Sequence, residues 1–233
     1  MPRLLLINPN TTTSITERLA FCARERLGAG FQIDAMTAGF GASYISSEAA
    51  LAVAQHAVVD TFERFVRDGK RADAVLIGCF GDPGLHALQE LANCPVIGLA
   101  QASMQAAAAG GGFAIVTGGA AWKQPLERLA FAIGLYAHWC GIETVEASGA
   151  QLAADPDAAH RILLPACRAA LRLQGAQRQS PQSVIVGGAG LLGIAQTLAV
   201  HVPVPLLDSV HCGVDAVARS LLRLSASKPT PAV

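Results

Sequence analysis

Cys79 is the side chain in this sequence best suited to do chemistry. It follows the apolar run Ala74–Ile77, which is typical of a buried parallel strand, and precedes Leu85–Leu91, which is typical of a helix. In open α/β sheets, ligands bind at such strand ends. A thiol there can act as a general base or acid, or as a nucleophile. The alternative is a buried cysteine that serves as a small hydrophobic residue.

The turn after Cys79 is rich in glycine, and we expect it to favour a thiolate. Gly81 and Gly84 allow a ligand to approach the main chain closely. The amide groups from Phe80 to Gly84, together with the positive end of the next helix, are available to lower the pKa of the thiol. Asp82 would oppose ionisation, so we expect its carboxylate to point outwards or to cap the following helix.

Predicted strands and helices alternate along the chain, which indicates an α/β protein with parallel sheets and helices on both faces. The predicted strands are Leu4–Asn8, Phe31–Met36, Ala74–Ile77, Pro95–Leu99, Phe113–Val116, Ile142–Glu146, Ser183–Val186 and Val204–Leu207. The predicted helices are Ser14–Leu27, Ser46–Arg67, Leu85–Leu91, an alanine-rich segment that ends before Gly110, Trp122–Gly134, Pro156–Leu173 and Ser209–Leu224.

The two halves of the chain repeat in register. Asn8 and Cys79 are 71 positions apart, and so are Thr117 and Gly188. Such a repeat predicts two similar lobes related by a pseudo-two-fold axis, with their strand ends facing each other across one cleft. Cys79 would then face Gly188.

This repeat predicts three parts of the chain. Residues 1–98, together with part of the C-terminal region, form the first α/β lobe, and residues 99–224 form the second. The remaining residues, 225–233, are polar and contain proline, so we expect a disordered tail.

Neutral polar groups and glycines at the other strand ends are the candidates for binding a ligand. Asn8 and Thr117 occupy matching positions and can orient a carboxylate or a cyclic imide without adding charge. Turn formation is the alternative role for Asn8. Gly118 extends the second strand end, and the run Gly187-Gly188-Ala189 would offer backbone amides and open space.

The composition excludes several function classes. The 17 basic and 17 acidic residues balance to a net charge of +0, which leaves no electrostatic basis for binding nucleic acid or an anionic membrane. No apolar run is long enough to span a membrane, and the start of the chain lacks a signal-peptide pattern. Charged residues make up 15% of the chain, against about 25% in typical soluble proteins. We therefore expect another subunit to cover part of the surface, in a homo-oligomer.

The cysteines and histidines show neither paired nor metal-ligand spacing. Without a secretory signal, the six cysteines are expected to be reduced. We therefore expect a cytoplasmic protein that uses no metal, with a small molecule as its partner.

Taken together, these motifs resemble the aspartate/glutamate/hydantoin racemase family, and its hydantoin racemase branch in particular. The segments that carry the resemblance are Ile7-Asn8-Pro9-Asn10-Thr11, Ser43-Tyr44-Ile45-Ser46, Cys79-Phe80-Gly81-Asp82-Pro83-Gly84-Leu85, Pro95-Val96-Ile97-Gly98, Val116-Thr117, Gly187-Gly188-Ala189-Gly190 and Pro205-Leu206-Leu207-Asp208. The resemblance implies an enzyme without cofactors, in which two cysteines flank a carbon acid. One cysteine removes the α-proton, and the other returns a proton to the opposite face. It also implies that Ile45 and Ser46 line the cleft; otherwise Ser46 is only a helix N-cap.

The chain departs from the family pattern at the second cysteine. Hydantoin racemases usually carry Gly-Cys-Ala-Gly there, whereas this chain has Gly188 in the cysteine position. Glycine cannot relay a proton, and loss of one positioned acid or base typically costs roughly 10²–10⁴-fold in rate. Candidates for replacing the thiol follow the last strand: Asp208, Ser209, His211 and Cys212.

Three functions stay open at this point. The first is a racemase-type isomerase that acts on a 5-substituted hydantoin or an amino-acid-like substrate through Cys79. The second is a one-thiol decarboxylase or lyase, although the arylmalonate decarboxylases keep the thiol that is missing here. The third is a non-catalytic small-molecule binding protein of the same fold.

Overall fold

The computed structural model of the protein describes residues 1–226. The strands are β1 (Arg3–Asn8), β2 (Gln32–Thr37), β3 (Ala74–Ile77), β4 (Val96–Gly98), β5 (Phe113–Gly118), β6 (Trp139–Val145), β7 (Ser183–Gly187) and β8 (Leu206–Asp208). The helices are α1 (Thr13–Leu27), α2 (Glu48–Arg67), α3 (Leu85–Leu91), α4 (Leu99–Ala108), α5 (Lys123–Ala132), α6 (Gly149–Ala154), α7 (Pro156–Ala170), α8 (Ile194–Leu198) and α9 (Ser209–Ala226).

Two parallel four-stranded sheets confirm the predicted repeat. Their strand orders, β2-β1-β3-β4 and β6-β5-β7-β8, are the same when the second half is laid on the first. The pairing register agrees as well. Ile7 pairs with Ile77 in the first sheet, and Val116 pairs with Val186 in the second, at the same offset of 109 positions for both members. The α/β fold with two similar lobes is therefore as predicted.

The strands alternate their side chains between two cores, as the pleat of a β-sheet requires. On β1, Leu4 and Leu6 belong to an inner cluster, whereas Leu5 and Ile7 belong to an outer cluster beneath α2 and α3. Ile185 of β7 joins the same inner cluster from the second sheet. The inner core therefore lies between the two sheets and holds the lobes together.

The last helix crosses from the second sheet to the first. α9 follows β8, yet it packs against α1, α4 and β3. Arg26 of α1 forms a bidentate ion pair with Asp215 of α9, with an Nη2–Oδ1 distance of 2.8 Å. The exact domain boundaries, 1–98 with part of the C-terminal region and 99–224, stay a prediction.

Two short helices and one helix end differ from the prediction. α6 and α8 are six and five residues long, too short for a 3.6-residue periodicity to be recognised. The capping box between Ser148 and Gln151 was the available signal for α6. α9 reaches Ala226, so it includes the first two residues of the predicted tail; the rest of that tail lies outside the described residues.

The structure also bears on the predictions about the cysteines, membrane spans and the protein surface. All six cysteines are free. Over residues 1–226, no helix is long and apolar enough to cross a membrane. Phe21 and Phe131 are exposed on α1 and α5. The homo-oligomer and the cytoplasmic location stay predictions.

Candidate active site

A cavity of about 410 Å³ lies where the carboxyl ends of the two sheets face each other. This is the strand-end crevice that the α/β pattern predicts as a ligand site. It is lined by Asn10, Thr12, Ser14, Ile15, Arg18, Ser43, Tyr44, Ile45, Gly78, Cys79, Phe80, Thr117, Trp122, Gly149, Ala150, Ala153, Ala154, Gly187, Gly188, Ala189, Gly190 and Leu191.

Most of the predicted site residues meet at this cavity. Those that line it are Ile45, Cys79, Phe80, Thr117, Gly187, Gly188 and Ala189. Those that lie outside its lining are Asn8, Ser46, Gly81 and Gly118. Contact of any of them with a substrate stays a prediction.

Asn8 lies outside the lining of the cavity, and its side chain is engaged in the turn between β1 and α1. It is fully buried. Its side-chain amide donates hydrogen bonds to Asn10 Oδ1, the Thr12 carbonyl and Thr16 Oγ1, at 2.9, 3.0 and 3.0 Å. These bonds fix the turn between β1 and α1. Neither Asn10 nor a threonine hydroxyl caps α1, whose N-cap Thr12 makes no side-chain cap.

The other three residues outside the lining have packing or capping surroundings. Ser46 is exposed, and the neighbouring Ser47 caps α2 by accepting a hydrogen bond from the Ala50 amide at 3.1 Å. A Cβ at Gly81 would overlap the ring of Trp122. Gly118 is tightly surrounded too, since a Cβ there would lie 2.6 Å from the carbonyl of Ala147.

We predicted that the turn after Cys79 stabilises a thiolate, and the structure contradicts this prediction. The amides of Gly81 and Asp82 donate to the carbonyl of Cys79, at 3.1 and 3.2 Å, and not to its sulfur. α3 starts only after Gly84, its N-cap. Two of the amide donors expected for the thiolate, those of Gly81 and Asp82, are therefore used within the turn itself.

The surroundings of Cys79 oppose ionisation of its thiol. Its side chain lines the cavity but is 8% exposed. Burial raises the pKa of Cys79 well above its usual range, and the negative charge of Asp82 raises it further. The expected lowering of this pKa is wrong, because burial and the charge of Asp82 both raise it.

Asp82 neither points outwards nor caps α3. It is 5% exposed, and its carboxylate accepts hydrogen bonds from the amides of Ala100 and Gln101, at 2.9 and 2.7 Å. It therefore caps α4, the helix that follows the neighbouring strand β4. Burial raises the pKa of Asp82 to about 7, although the peptide N–H groups of Gln101 and Ala100 lower it. A Cβ at Gly98 would overlap this carboxylate, so the cap needs glycine there.

Gly188 forms the part of the cavity wall that corresponds to Cys79 in the repeat. Its φ of +143° lies in a region that side chains rarely adopt. A Cβ there would lie 3.3 Å from Cγ of Leu191. The amide of Gly188 donates to Ser209 Oγ at 3.1 Å, so this donor is not free to bind a ligand.

None of the four predicted replacements for the missing thiol lines the cavity. Asp208 caps α9 through the amides of Val210 and His211 and also accepts from the amide of Gly193. Nδ1 of His211 accepts a hydrogen bond from the side-chain amide Nε2 of Gln196 at 2.8 Å. Cys212 is buried in the apolar interior. The residues at the end of the last strand therefore cap a helix or pack in the interior.

Tyr44 is one of the functional candidates that sequence reasoning missed. Its Oη accepts a hydrogen bond from the Gly149 amide at 2.7 Å and so bridges the first lobe to α6. Burial raises the pKa of Tyr44, the Gly149 amide lowers it, and the charge of an ionised Cys79 raises it again. Trp122 also lines the cavity close to this hydroxyl. The signal available was the position of Tyr44 within the recognised Ser43–Ser46 segment.

Arg18 is the other candidate that was missed. It is half-buried on α1 and lines the cavity one helical turn after Ser14 and Ile15. Its guanidinium lies 3.5 Å from the carbonyls of Gly190 and Leu192 in the second lobe. Helical spacing places Arg18 on the same face as Ser14 and Ile15, but the sequence does not indicate that this face borders the cavity.

No metal site accompanies these residues in the described part of the chain. Within residues 1–226, no three His, Cys, Asp or Glu side chains are grouped so that they could hold a metal ion. The polar groups that reach the cavity are hydroxyls, an amide, a thiol and one guanidinium.

Comparisons with known proteins point in one direction. The family model described as Asp/Glu/Hydantoin racemase matches residues 4–217. A hydantoin racemase from Paenarthrobacter aurescens is 31% identical over 223 residues, which cover 95% of this chain and 92% of the relative. The solved allantoin racemase from Klebsiella pneumoniae is 30% identical with a TM-score of 0.84, covering 97% of this chain and 89% of that chain. That from Pseudomonas fluorescens is 28% identical with the same TM-score, covering 99% and 98%.

Proposed function

The chain belongs to the Asp/Glu/hydantoin racemase family, and from that premise we propose a cofactor-independent isomerase in which Cys79 exchanges the α-proton of a small carbon acid. The observation that carries the proposal is the position of Cys79 at a strand end, on the wall of the cavity between the lobes. The substrate class is a cyclic ureide such as a 5-substituted hydantoin, by analogy with the hydantoin and allantoin racemases that resemble this chain.

Proton removal requires Cys79 to lose its own proton first. The thiolate then takes the α-proton, and the electron pair of the broken C–H bond moves into the adjacent carbonyl to give an enolate. Because the pKa of Cys79 is raised in the free protein, we expect only a small reactive fraction at neutral pH. The rate should therefore rise with pH through the alkaline range.

The hydroxyl of Tyr44 is our candidate for the proton donor on the opposite face. Its oxygen accepts a hydrogen bond from the Gly149 amide, so its own proton is free to point elsewhere. The carbonyl of the same Gly149 packs against Gly190, where a Cβ would lie 2.8 Å from it. Tyr44 belongs to the same lobe as Cys79, and its contact with Gly149 of the second lobe brings the phenol towards Gly190 in the glycine run.

Exchange of the α-proton in D₂O, followed by NMR, tests this proposal. The wild type should exchange the C5 proton of a 5-substituted hydantoin, and Cys79→Ser should lower the rate by roughly 10²-fold or more. Cys94→Ser, which alters a half-buried thiol outside the cavity lining, is the matched control and should exchange like the wild type.

The optical rotation of the same samples separates the remaining alternatives. Exchange with racemisation requires a donor on each face, whereas exchange with retained rotation indicates that Cys79 works alone. Absence of exchange over a panel of hydantoins, combined with ligand-induced stabilisation, would favour the non-catalytic binding protein. Release of CO₂ from an α-carboxylated substrate would favour the decarboxylase.

A further inference from the structure

We propose that Arg18 makes this enzyme selective for substrates whose side chain carries a carboxylate. The inference rests on the proposed function and names the substrate class within it. Of the described residues that line the cavity, Arg18 is the one with a formally charged side chain at neutral pH. A single cation inside a cavity that also holds Cys79 attracts an anionic group on the ligand.

The guanidinium of Arg18 has hydrogen-bonding capacity to spare. It has five N–H donors, and its contacts to the carbonyls of Gly190 and Leu192 are both at 3.5 Å, the outer limit for a hydrogen bond. Within residues 1–226, no carboxylate lies at ion-pair distance from it.

Arg26, on the same helix, is an arginine whose guanidinium is paired with a carboxylate. Its guanidinium forms three hydrogen bonds of 2.8–3.0 Å with the carboxylate of Asp215. Arg18 makes no comparable pair in the described chain, although it is half-buried and therefore partly desolvated. A carboxylate supplied by the ligand would provide the bidentate partner that a guanidinium is shaped to bind.

The charge and the thiol come from different elements that line the same cavity. Arg18 lies on α1, whereas Cys79 and Tyr44 belong to the loops after β3 and β2. Small residues of α6, including Ala150 and Ala153, line the same cavity as Arg18. They leave room for a substituent. We expect a 5-(carboxyalkyl)hydantoin to bind with its ring at the thiol and its carboxylate at the guanidinium.

Direct binding measurements with two isosteric ligands test the inference. The ligands are 5-(2-carboxyethyl)hydantoin and its neutral amide, 5-(2-carbamoylethyl)hydantoin, and binding is measured by calorimetry and by the fluorescence of Trp122, which lines the cavity. The wild type should bind the acid about 10-fold or more tightly than the amide. Arg18→Gln should weaken binding of the acid about 10- to 100-fold and leave binding of the amide nearly unchanged. Arg18→Lys should retain part of the preference.

Arg24→Gln is the matched control, since Arg24 is exposed on the same helix and lies outside this cavity. It should bind both ligands like the wild type, and circular dichroism should confirm that all variants are folded. Equal affinity of the wild type for acid and amide, or an Arg18→Gln variant that keeps the preference, would overturn the inference.

Deuterium exchange on the same two ligands distinguishes the two proposals. A preference for the acid in binding without any exchange would refute the proposed function and leave the role of Arg18 intact. Exchange at equal efficiency for acid and amide would refute the role of Arg18 and leave the proposed function intact.

Discussion

Asp82 lies close enough to Cys79 for its carboxylate to raise the pKa of the thiol. The same carboxylate caps α4 through the amides of Ala100 and Gln101. Asp82 therefore both caps α4 and raises the pKa of the candidate catalytic thiol. This coupling makes the pH dependence of the protein informative.

We predict that Asp82→Asn moves the alkaline limb of the pH–rate profile to lower pH. Asparagine keeps a cap acceptor for α4 but removes the negative charge that opposes ionisation of Cys79. The profile of kcat/KM for α-proton exchange between pH 6 and 10 measures the shift. Asp208→Asn is the control, because Asp208 also caps a helix but raises the pKa of Cys22 and Cys212 instead. An unshifted limb in Asp82→Asn would contradict the coupling.

We also predict that the free energy of unfolding changes with pH through Asp82. Its pKa is about 7 in the folded protein, against an ordinary value of 3.8, so the native state binds this proton more strongly between these values. The resulting stabilisation is complete below about pH 4 and is lost as the pH rises through 7. Urea denaturation of wild type and Asp82→Asn at pH 5 and pH 8 measures it. The wild type should lose stability relative to the variant at the higher pH; parallel values would refute the prediction.

Gly188→Cys should increase racemisation relative to simple exchange. It introduces a thiol at the position that matches Cys79 in the repeat, facing the same cavity. The φ of +143° and the contact with Leu191 strain any side chain there, so we expect a destabilisation of about 1–3 kcal/mol. Gly188→Ala carries the same strain without the thiol and should destabilise without gaining racemisation. Chiral chromatography and thermal melts report the two effects, and equal racemisation by both variants would contradict the prediction.

Tyr44→Phe should lower racemisation more than it lowers exchange. The change removes the proposed donor of the second face and leaves the buried Gly149 amide without its acceptor, at a cost of about 1–3 kcal/mol. The ratio of racemisation to deuterium exchange is the informative measurement. Tyr136→Phe alters the other tyrosine, which is partly exposed and bonded to Glu127, and should leave the ratio unchanged. A parallel fall of both rates in Tyr44→Phe would point to a purely structural role.

The fold and the location of the site were readable from the sequence because both follow local patterns. Buried parallel strands appear as apolar runs, and turn residues such as the glycines after Ile77 and Val186 mark where several of them end. The equal spacing of Asn8 to Cys79 and of Thr117 to Gly188 then predicted that the strand ends of both lobes form one cleft. The structure brings Cys79, Thr117 and Gly188 to the same cavity.

The ionisation of Cys79 and the partners of Asp82 were not readable, because they depend on contacts between distant segments. The amides that bind Asp82 are 18 and 19 residues further along the chain, beyond an intervening helix and strand. The role of Arg18 depends in the same way on the second lobe, since its contacts are 172 and 174 residues away. Helical periodicity describes the faces of α1 but not which of them borders the cleft.

The return of α9 to the first sheet ties the end of the described chain to its beginning. A fragment truncated before Ser209 would uncover the apolar surfaces of β3 and α4, and Arg26 would lose its partner Asp215. The first lobe is therefore not complete without a segment that follows the second sheet in the chain. Loss of α9 should therefore destabilise the first sheet, although this helix follows the second sheet in the chain.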